Sequence, residues 1–234
     1  MTLAVAVVGG ENGIEIEFLS RLGSPERTAL FDRGRTRQVP RGAYLITEGN
    51  QSDAVFVLLS GHVKVFSTTA RGDEVILAVR GPGALLGELA AIDDGPRTAS
   101  VCALEPLEVL TVPNEAFGRY LEAHPTVALM LLRTITGRLR DADRKRVEFG
   151  AHDAVSRVAL RLLELADRFG EPTSEGIRIT FPFTQDELAG WVGTSREAVV
   201  KALRTLRQLG YVQTQRRGAV VCDADGLRRR AGLT

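Results

Sequence analysis

Hydrophobic and polar positions change grammar twice along this chain. From Gln38 to Val112 apolar residues crowd into short runs, YLITEG, AVFVLLSGHVKVFS, TARGDEVILAV, RTASVCAL and LEVLTV. Glycines at 49, 61, 72 and 83 punctuate them about every ten residues, the spacing of an antiparallel sandwich or barrel. A β-roll or jelly roll of about eight strands is predicted, with ARGD as a hairpin tip. From Pro125 to Phe149 the period becomes helical. Ala128, Leu132, Ile135, Leu139, Ala142, Arg146 and Phe149 recur at alternating four and three residues, a heptad seam on a rod of about 37 Å. Val127, Leu129, Met130 and Leu131 add apolar positions off that seam. One face of the helix is therefore expected on the roll and the other on a second copy of the chain.

A third pattern begins at Thr184, in TQDELAGWVGTSREAVVKALRTLRQLGYV. Thr184 and Glu187 form a T-x-x-E capping box that starts a helix. Leu188, Ala189 and Val192 share its apolar face, Gly193 ends it, and Ser195 caps a second helix. Val199, Ala202, Leu203 and Leu206 point inward on that second helix at helical spacing, and Gly210 stops it. Arg196, Glu197, Lys201, Arg204 and Arg207 occupy its other face. A short helix, a tight turn and a polar-fronted helix fit a DNA major groove. The bland alternative is a helical pair with a solvated charged face. Arg donates twice to guanine and Glu accepts from cytosine, so neighbouring Arg196 and Glu197 are candidate readers of adjacent G and C bases. After Gly210, YVQTQ and AVVCD read as two strands joined by the basic turn Arg216-Arg217, the wing of a winged helix.

Composition bounds the rest. The chain has 234 residues and a net charge of +1, enough for one large or two modest domains. From Ala151 onward there are 13 Lys/Arg against 10 Asp/Glu, and before it 17 against 19. The basic excess lies where a nucleic-acid partner requires it. Cys102 and Cys222 stand in unrelated contexts and indicate neither a disulfide framework nor a metal cluster. Cys102, in a β-run, reads as a small core residue. His62, His124 and His152 are scattered, which argues against metal or haem ligation. No nucleophile elbow, metalloprotease motif or Ser/His/acid spacing stands out, so catalytic residues are not assigned and an enzyme is not expected. MTLAVAVVGG lacks the basic region and cleavage site of a signal peptide and the length of a membrane span. It is expected to be a disordered leader on a cytoplasmic protein.

One segment of the β-rich part carries chemistry. Gly87-Glu88-Leu89-Ala90-Ala91-Ile92 precedes DDGPRTAS. A glycine before a helical turn offers free backbone N–H groups to an anion. Arg97 adds a two-pronged phosphate partner and Thr98 a hydroxyl. Glu88 can accept from a sugar hydroxyl. Together they suit the phosphate and ribose of a cyclic nucleotide. A surface Glu–Arg ion pair beside a turn is the competing reading.

The order of β-roll, GELAAIDDGPRTAS, long helix and TQDELAGWVGTSREAVVKAL resembles the CRP/FNR family of bacterial transcription regulators, from about Phe18 to the end. The resemblance implies an α+β chain with an N-terminal antiparallel β-roll of the cyclic-nucleotide-binding kind. A long dimerisation helix and a C-terminal winged helix-turn-helix follow. It implies domains at 18–124, 125–150 and 151–234 after a 1–17 leader, and a homodimer on double-stranded DNA that engages RNA polymerase. It assigns cyclic AMP to the roll, with Glu88 on the ribose, Arg97 and Thr98 on the phosphate, and the backbone of Gly87 and Leu89 assisting. Arg138 matches a family arginine that reaches Glu88. Arg196, Glu197 and Lys201 would read bases in a palindromic site, with Thr184, Ser195, Arg204, Arg216 and Arg217 beside them.

Two positions depart from the family pattern. Lys201 stands where the family more often has Arg, which keeps the charge but loses the planar donor. Ala142 and Asp143 stand where cyclic-AMP-binding relatives grip adenine with a hydroxyl and amide pair. Ala142 offers no polar side chain, and ionised Asp143 only accepts. Three readings follow: a ligand-responsive regulator, a ligand-independent one with a vestigial or altered pocket, and a nucleotide-binding interaction module that does not touch DNA. The family's iron–sulfur sensors need N-terminal cysteines, and none precedes Cys102. Phe149-Gly150-Ala151-His152-Asp153 is expected to break the rod at Gly150, either as a hinge or as a mere helix terminator, with Asp153 capping the next helix.

Overall fold

The structure, a computed structural model, describes residues 17–70, 72 and 74–233, and along 144–151 the backbone alone. Residues 1–16 of the expected 1–17 leader, Arg71 and Asp73 of the ARGD tip, and the seam side chains Arg146 and Phe149 lie outside the described part.

A 3-10 turn at Phe18–Arg21 and helix α1 (Ser24–Phe31) precede strands β1 (Arg35–Val39), β2 (Tyr44–Ile46), β3 (Ala54–Ser60), β4 (Val63–Thr68), β5 (Glu74–Arg80) and β6 (Leu85–Leu86). Helix α2 (Glu88–Ile92), β7 (Ser100–Ala103) and β8 (Leu107–Pro113) follow. Two antiparallel sheets result, ordered β1-β8-β3-β6 and β2-β7-β4-β5. The apolar run of β3 serves two cores because alternate side chains leave opposite faces of a strand. Phe56 and Leu58 fill the space between the sheets. Val55 and Val57 lie beneath helices α3 (Asn114–Ala123) and α4 (Pro125–Ala151). Gly49, Gly61, Gly72 and Gly83 all have φ between +80° and +92°, so the turns read from the sequence sit at left-handed positions that favour glycine.

Helix α4 divides its faces only partly as its pattern implied: Ile135 of the expected seam packs over the roll with Met130, and Leu129, off the seam, is 48% exposed. Val127 and Leu131 are buried with Phe117 and Tyr120 over the roll, whereas Leu132 and Leu139 are 59% and 61% exposed. The expected break at Gly150 is not found. The helix runs through Gly150 to Ala151 and the chain turns at His152-Asp153. A glycine inside a helix costs only about 1 kcal/mol relative to alanine, too little to end it.

Helix α5 (Ala154–Phe169), strands β9 (Gly170–Thr173) and β10 (Gly176–Ile179), helices α6 (Gln185–Val192) and α7 (Arg196–Gln208), strands β11 (Val212–Gln215) and β12 (Gly218–Val221), and helix α8 (Ala224–Arg230) complete the chain. The wing strands β11 and β12 belong to a four-stranded sheet, β11-β12-β10-β9. Its β9–β10 hairpin, in GEPTSEGIRI, is not among the elements expected from the sequence. Leu162, Leu188, Val199, Leu206 and Leu227 form the core of this half. Phe66, Ile76, Val79 and Cys102 of the roll join the same core. The two halves therefore meet through α6 and the β4–β5 hairpin, where a Cβ on Gly190 would stand 2.7 Å from the Glu74 carbonyl oxygen.

Asp153 caps α5 as expected, accepting the Ser156 N–H at 2.7 Å. It also accepts from Arg230 of α8 at 2.8 Å, and Arg230 donates to the Ser156 hydroxyl at 2.7 Å. The hydrogen bond from Arg230, then that from Ser156, pull the Asp153 carboxyl down to about 2. A depressed carboxylate pKa stabilises the fold above its unfolded value and loses that contribution as pH falls through the folded one. Asp153→Asn should therefore lower the urea midpoint at pH 7, and the gap from the parent should shrink as pH falls from about 4 toward 2. A gap constant from pH 7 to pH 3 would show that the carboxylate's charge is not what ties α8 to α5.

Candidate nucleotide pocket and nucleic-acid interface

The cassette is assembled from four elements. Gly87 takes a left-handed conformation (φ 80°, ψ 12°) and caps the five-residue helix α2. Glu88 and Arg97 are 3% and 5% exposed, which excludes a surface ion pair. Arg97 donates Nη1 to the Gly87 carbonyl at 3.0 Å and Nη2 to the Ala54 carbonyl at 2.5 Å. Its nearest carboxylate, Asp53 at 3.5 Å, is 90% exposed. Burial pulls the Arg97 pKa down from its ordinary value, while Asp53 and Glu88 hold it up. The result is a buried cation whose directly paired carboxylate, Asp53, lies largely in water, an arrangement suited to an added anion. Thr98 is exposed beside it, as is Leu89.

Arg138 reaches across from α4 and donates to Glu88 Oε1 at 2.5 Å. The contact joins the candidate ribose carboxylate to the long helix. Ala142 and Asp143 lie one turn further on and are both exposed. The partners Asp53 and Ala54 were not found by sequence reasoning. Asp53 sits in a loop with no motif, and Ala54 acts through its backbone, which carries no residue signature.

Space at the cassette is tight. A Cβ on Gly87 would stand 2.3 Å from Arg97 Nη1 and 3.0 Å from Ile46 Cδ1. Gly87→Ala should both strain the left-handed backbone and push Arg97 from its carbonyls, destabilising the fold by about 1–3 kcal/mol. Urea unfolding measures this; a loss below about 0.5 kcal/mol would mean that the loop relaxes freely.

The second cluster is built on α6 and α7. Thr184 accepts the Glu187 N–H at 3.1 Å and Glu187 accepts the Thr184 N–H at 2.7 Å, the full capping box. Gly193 turns the chain with φ 58°, and the Ser195 hydroxyl accepts the Ala198 N–H at 3.2 Å. Thr184 and Ser195 thus aim the helices through their caps. Arg157 of α5 donates to the Val192 carbonyl at 3.0 Å and pins the turn from behind. Val199, Ala202, Leu203 and Leu206 are buried, which leaves Arg196, Glu197, Lys201 and Arg204 exposed on one face. Hydrogen bonds from its own N–H and then from Ser195 hold the Glu197 carboxyl below its ordinary value, so it is an ionised acceptor at neutral pH. Arg196 Nε lies 3.6 Å from Asp186, a neighbour the sequence pattern did not single out. Arg216 and Arg217 are exposed at the wing turn. A groove of about 410 Å³ runs between the start of α6 and the wing, lined by Thr184, Asp186, Arg196, Thr214 and Arg216.

Residues 36–124 match the cyclic nucleotide-binding domain, and residues 156–230 the Crp-like helix-turn-helix domain. Over 192 residues the chain is 33% identical to the CRP-like cAMP-activated global transcriptional regulator of Mycobacterium tuberculosis, covering 82% of this chain and 86% of that one. The chain belongs to the CRP/FNR family. It is also 34% identical to the cyclic AMP receptor protein of Thermus thermophilus over 177 residues, 76% of this chain and 79% of that one. A CooA mutant from Carboxydothermus hydrogenoformans superposes with a TM-score of 0.77 over 93% of this chain and 96% of that one. At 21% identity it shows the fold alone. This CRP/FNR chain is a transcription regulator with a helix-turn-helix of the DNA-binding kind, and not an enzyme. Among the described residues no helix is long and apolar enough to cross a membrane.

Proposed function

We propose that this CRP/FNR regulator is a cytoplasmic homodimer that binds a palindromic DNA site through α7 and the β11–β12 wing, under control of a cyclic nucleotide held at α2. The observation that carries the reading is the Arg138–Glu88 contact. It connects the cassette to α4, the helix whose exposed Leu132 and Leu139 form the candidate seam. A ligand at Glu88 changes the partners of Arg138, and that change is transmitted to the pairing of two α4 helices. The helix-turn-helix units follow through the His152-Asp153 turn and the α6 contact with the β4–β5 hairpin.

The pocket suits a cyclic nucleotide at its sugar–phosphate end. A cyclic phosphate gives Arg97 an anion to pair with besides the exposed Asp53, Thr98 adds a hydroxyl, and Glu88 accepts from the ribose. Cyclic AMP is the first candidate, since the Mycobacterium tuberculosis relative is described as cAMP-activated. Engagement of RNA polymerase belongs to the same reading. Ala142 and Asp143 support a second reading. With no hydroxyl and amide pair at the base end, the ligand is a different nucleotide, or the regulator binds its operator without one.

Selection of binding sites from random DNA separates these. The first reading expects inverted repeats with half-sites about one helical turn apart, enriched more strongly with cyclic AMP or cyclic GMP present. It also expects operator DNA to tighten nucleotide binding by the factor by which nucleotide tightens DNA binding. Equal enrichment without nucleotide establishes the second reading. No enrichment under any condition rejects both and leaves an interaction module.

A further inference from the structure

One exposed position on α7 is not used by the reading above. The outward face of the helix is charged at Arg196, Glu197, Lys201, Arg204 and Arg207, yet Val200 stands among them 45% exposed. Its neighbour Val199 is fully buried and fills the core, whereas Val200 is not part of that core. A β-branched residue is also a poorer helix former than the straight-chain polar residues suited to an exposed site. A lone exposed valine elsewhere on a protein needs no explanation. Here its position decides the matter. Residues 196, 200 and 204 follow one another at four-residue spacing, so Val200 lies on the line between two arginines, at the centre of the face.

We infer that Val200 packs on the C5-methyl group of a thymine in the half-site and sets a preference for thymine there. This rests on the DNA-binding reading above. The major-groove edge of thymine is the one that carries a methyl group, and apolar side chains recognise it by contact. An isopropyl group has no hydrogen bond to give, so it adds none at the edge of G, C or A. Four residues along a helix span about 6 Å, less than two base-pair steps at 3.4 Å each. The thymine should therefore lie within about two base pairs of the guanine taken by Arg196.

The test uses the full-length protein and its selected operator, with each thymine replaced in turn by deoxyuridine, which removes only the methyl group. The parent protein should lose affinity about fourfold per half-site at one thymine, the worth of one buried methyl. Val200→Ala should bind the thymine and uracil versions alike, and bind the uracil version as the parent does. A parent indifferent to uracil at every position, or a Val200→Ala protein that still discriminates, overturns the assignment while leaving DNA binding intact. Failure to enrich any site overturns the DNA-binding reading itself and this inference with it.

Discussion

Arg196→Ala is expected to weaken binding to the selected operator by about a hundredfold or more. Arg196 is the first residue of α7, exposed, with its guanidinium beside Asp186 at 3.6 Å and on the rim of the groove that leads to the wing. A two-pronged arginine–guanine contact discriminates by about 1–3 kcal/mol, and a dimer makes it twice. Affinity for unrelated DNA should fall only by the loss of one phosphate-attracting charge per protomer, with a correspondingly shallower salt dependence. The measurement is a titration of operator and scrambled duplexes at two salt concentrations. Loss of specific but not general binding marks α7 as the reading element. An unchanged operator affinity would remove α7 from that role and return the charged face to a merely solvated one. The core is not at risk, because the residues that hold α7 in place, Val199, Ala202, Leu203 and Leu206, are untouched.

Calorimetric titration with cyclic AMP and cyclic GMP should show micromolar binding to the parent and a loss of about a hundredfold or more in Arg97→Ala, since charge-assisted hydrogen bonds are worth roughly 1.5–3 kcal/mol each. The variant needs one control. Arg97 donates to the buried carbonyls of Gly87 and Ala54, and leaving these unpaired costs about 1–3 kcal/mol of fold stability. Thermal unfolding without ligand fixes a temperature at which both proteins are folded, and the titration is compared there. Heat with the parent and none with the variant makes Arg97 the phosphate partner. No heat with either nucleotide on the parent removes the sugar–phosphate assignment and favours operator binding without ligand. The base end then becomes the point of interest, because Ala142 and Asp143 cannot supply both a hydroxyl and an amide.

Much of the DNA-facing half was legible because its signals are local. The T-x-x-E box, the glycine at 193 and the serine at 195 act over three or four residues, through caps and one left-handed turn. Their outcome depends little on what packs elsewhere, and each is found where the pattern placed it. The β-roll was legible for a similar reason, since strand alternation and positive-φ glycines mark both the runs and the turns between them. The Gly150 break failed for the converse reason. A single helix-weakening residue is a small local bias, and an Asp153 cap two residues beyond the helix end set the boundary instead. The β9–β10 hairpin was hidden because its Gly and Pro say turn. Pairing with β12, some forty residues later in the chain, is what makes β10 an inner strand.

By itself the sequence determined the order of the elements, the face of each helix that must be buried, and the residue types gathered at the two candidate sites. Those follow from side-chain chemistry and from periods of two and 3.6 residues, which are properties of the chain alone. The tertiary structure decided which groups meet. It placed the Arg97 guanidinium on two backbone carbonyls, set Arg138 on Glu88 fifty residues away, brought Arg230 to Asp153, and docked Gly190 on the Glu74 carbonyl. Contacts of this kind depend on distances between segments remote in sequence. Backbone atoms that serve as partners leave no mark in residue identity, so only the packed chain shows them.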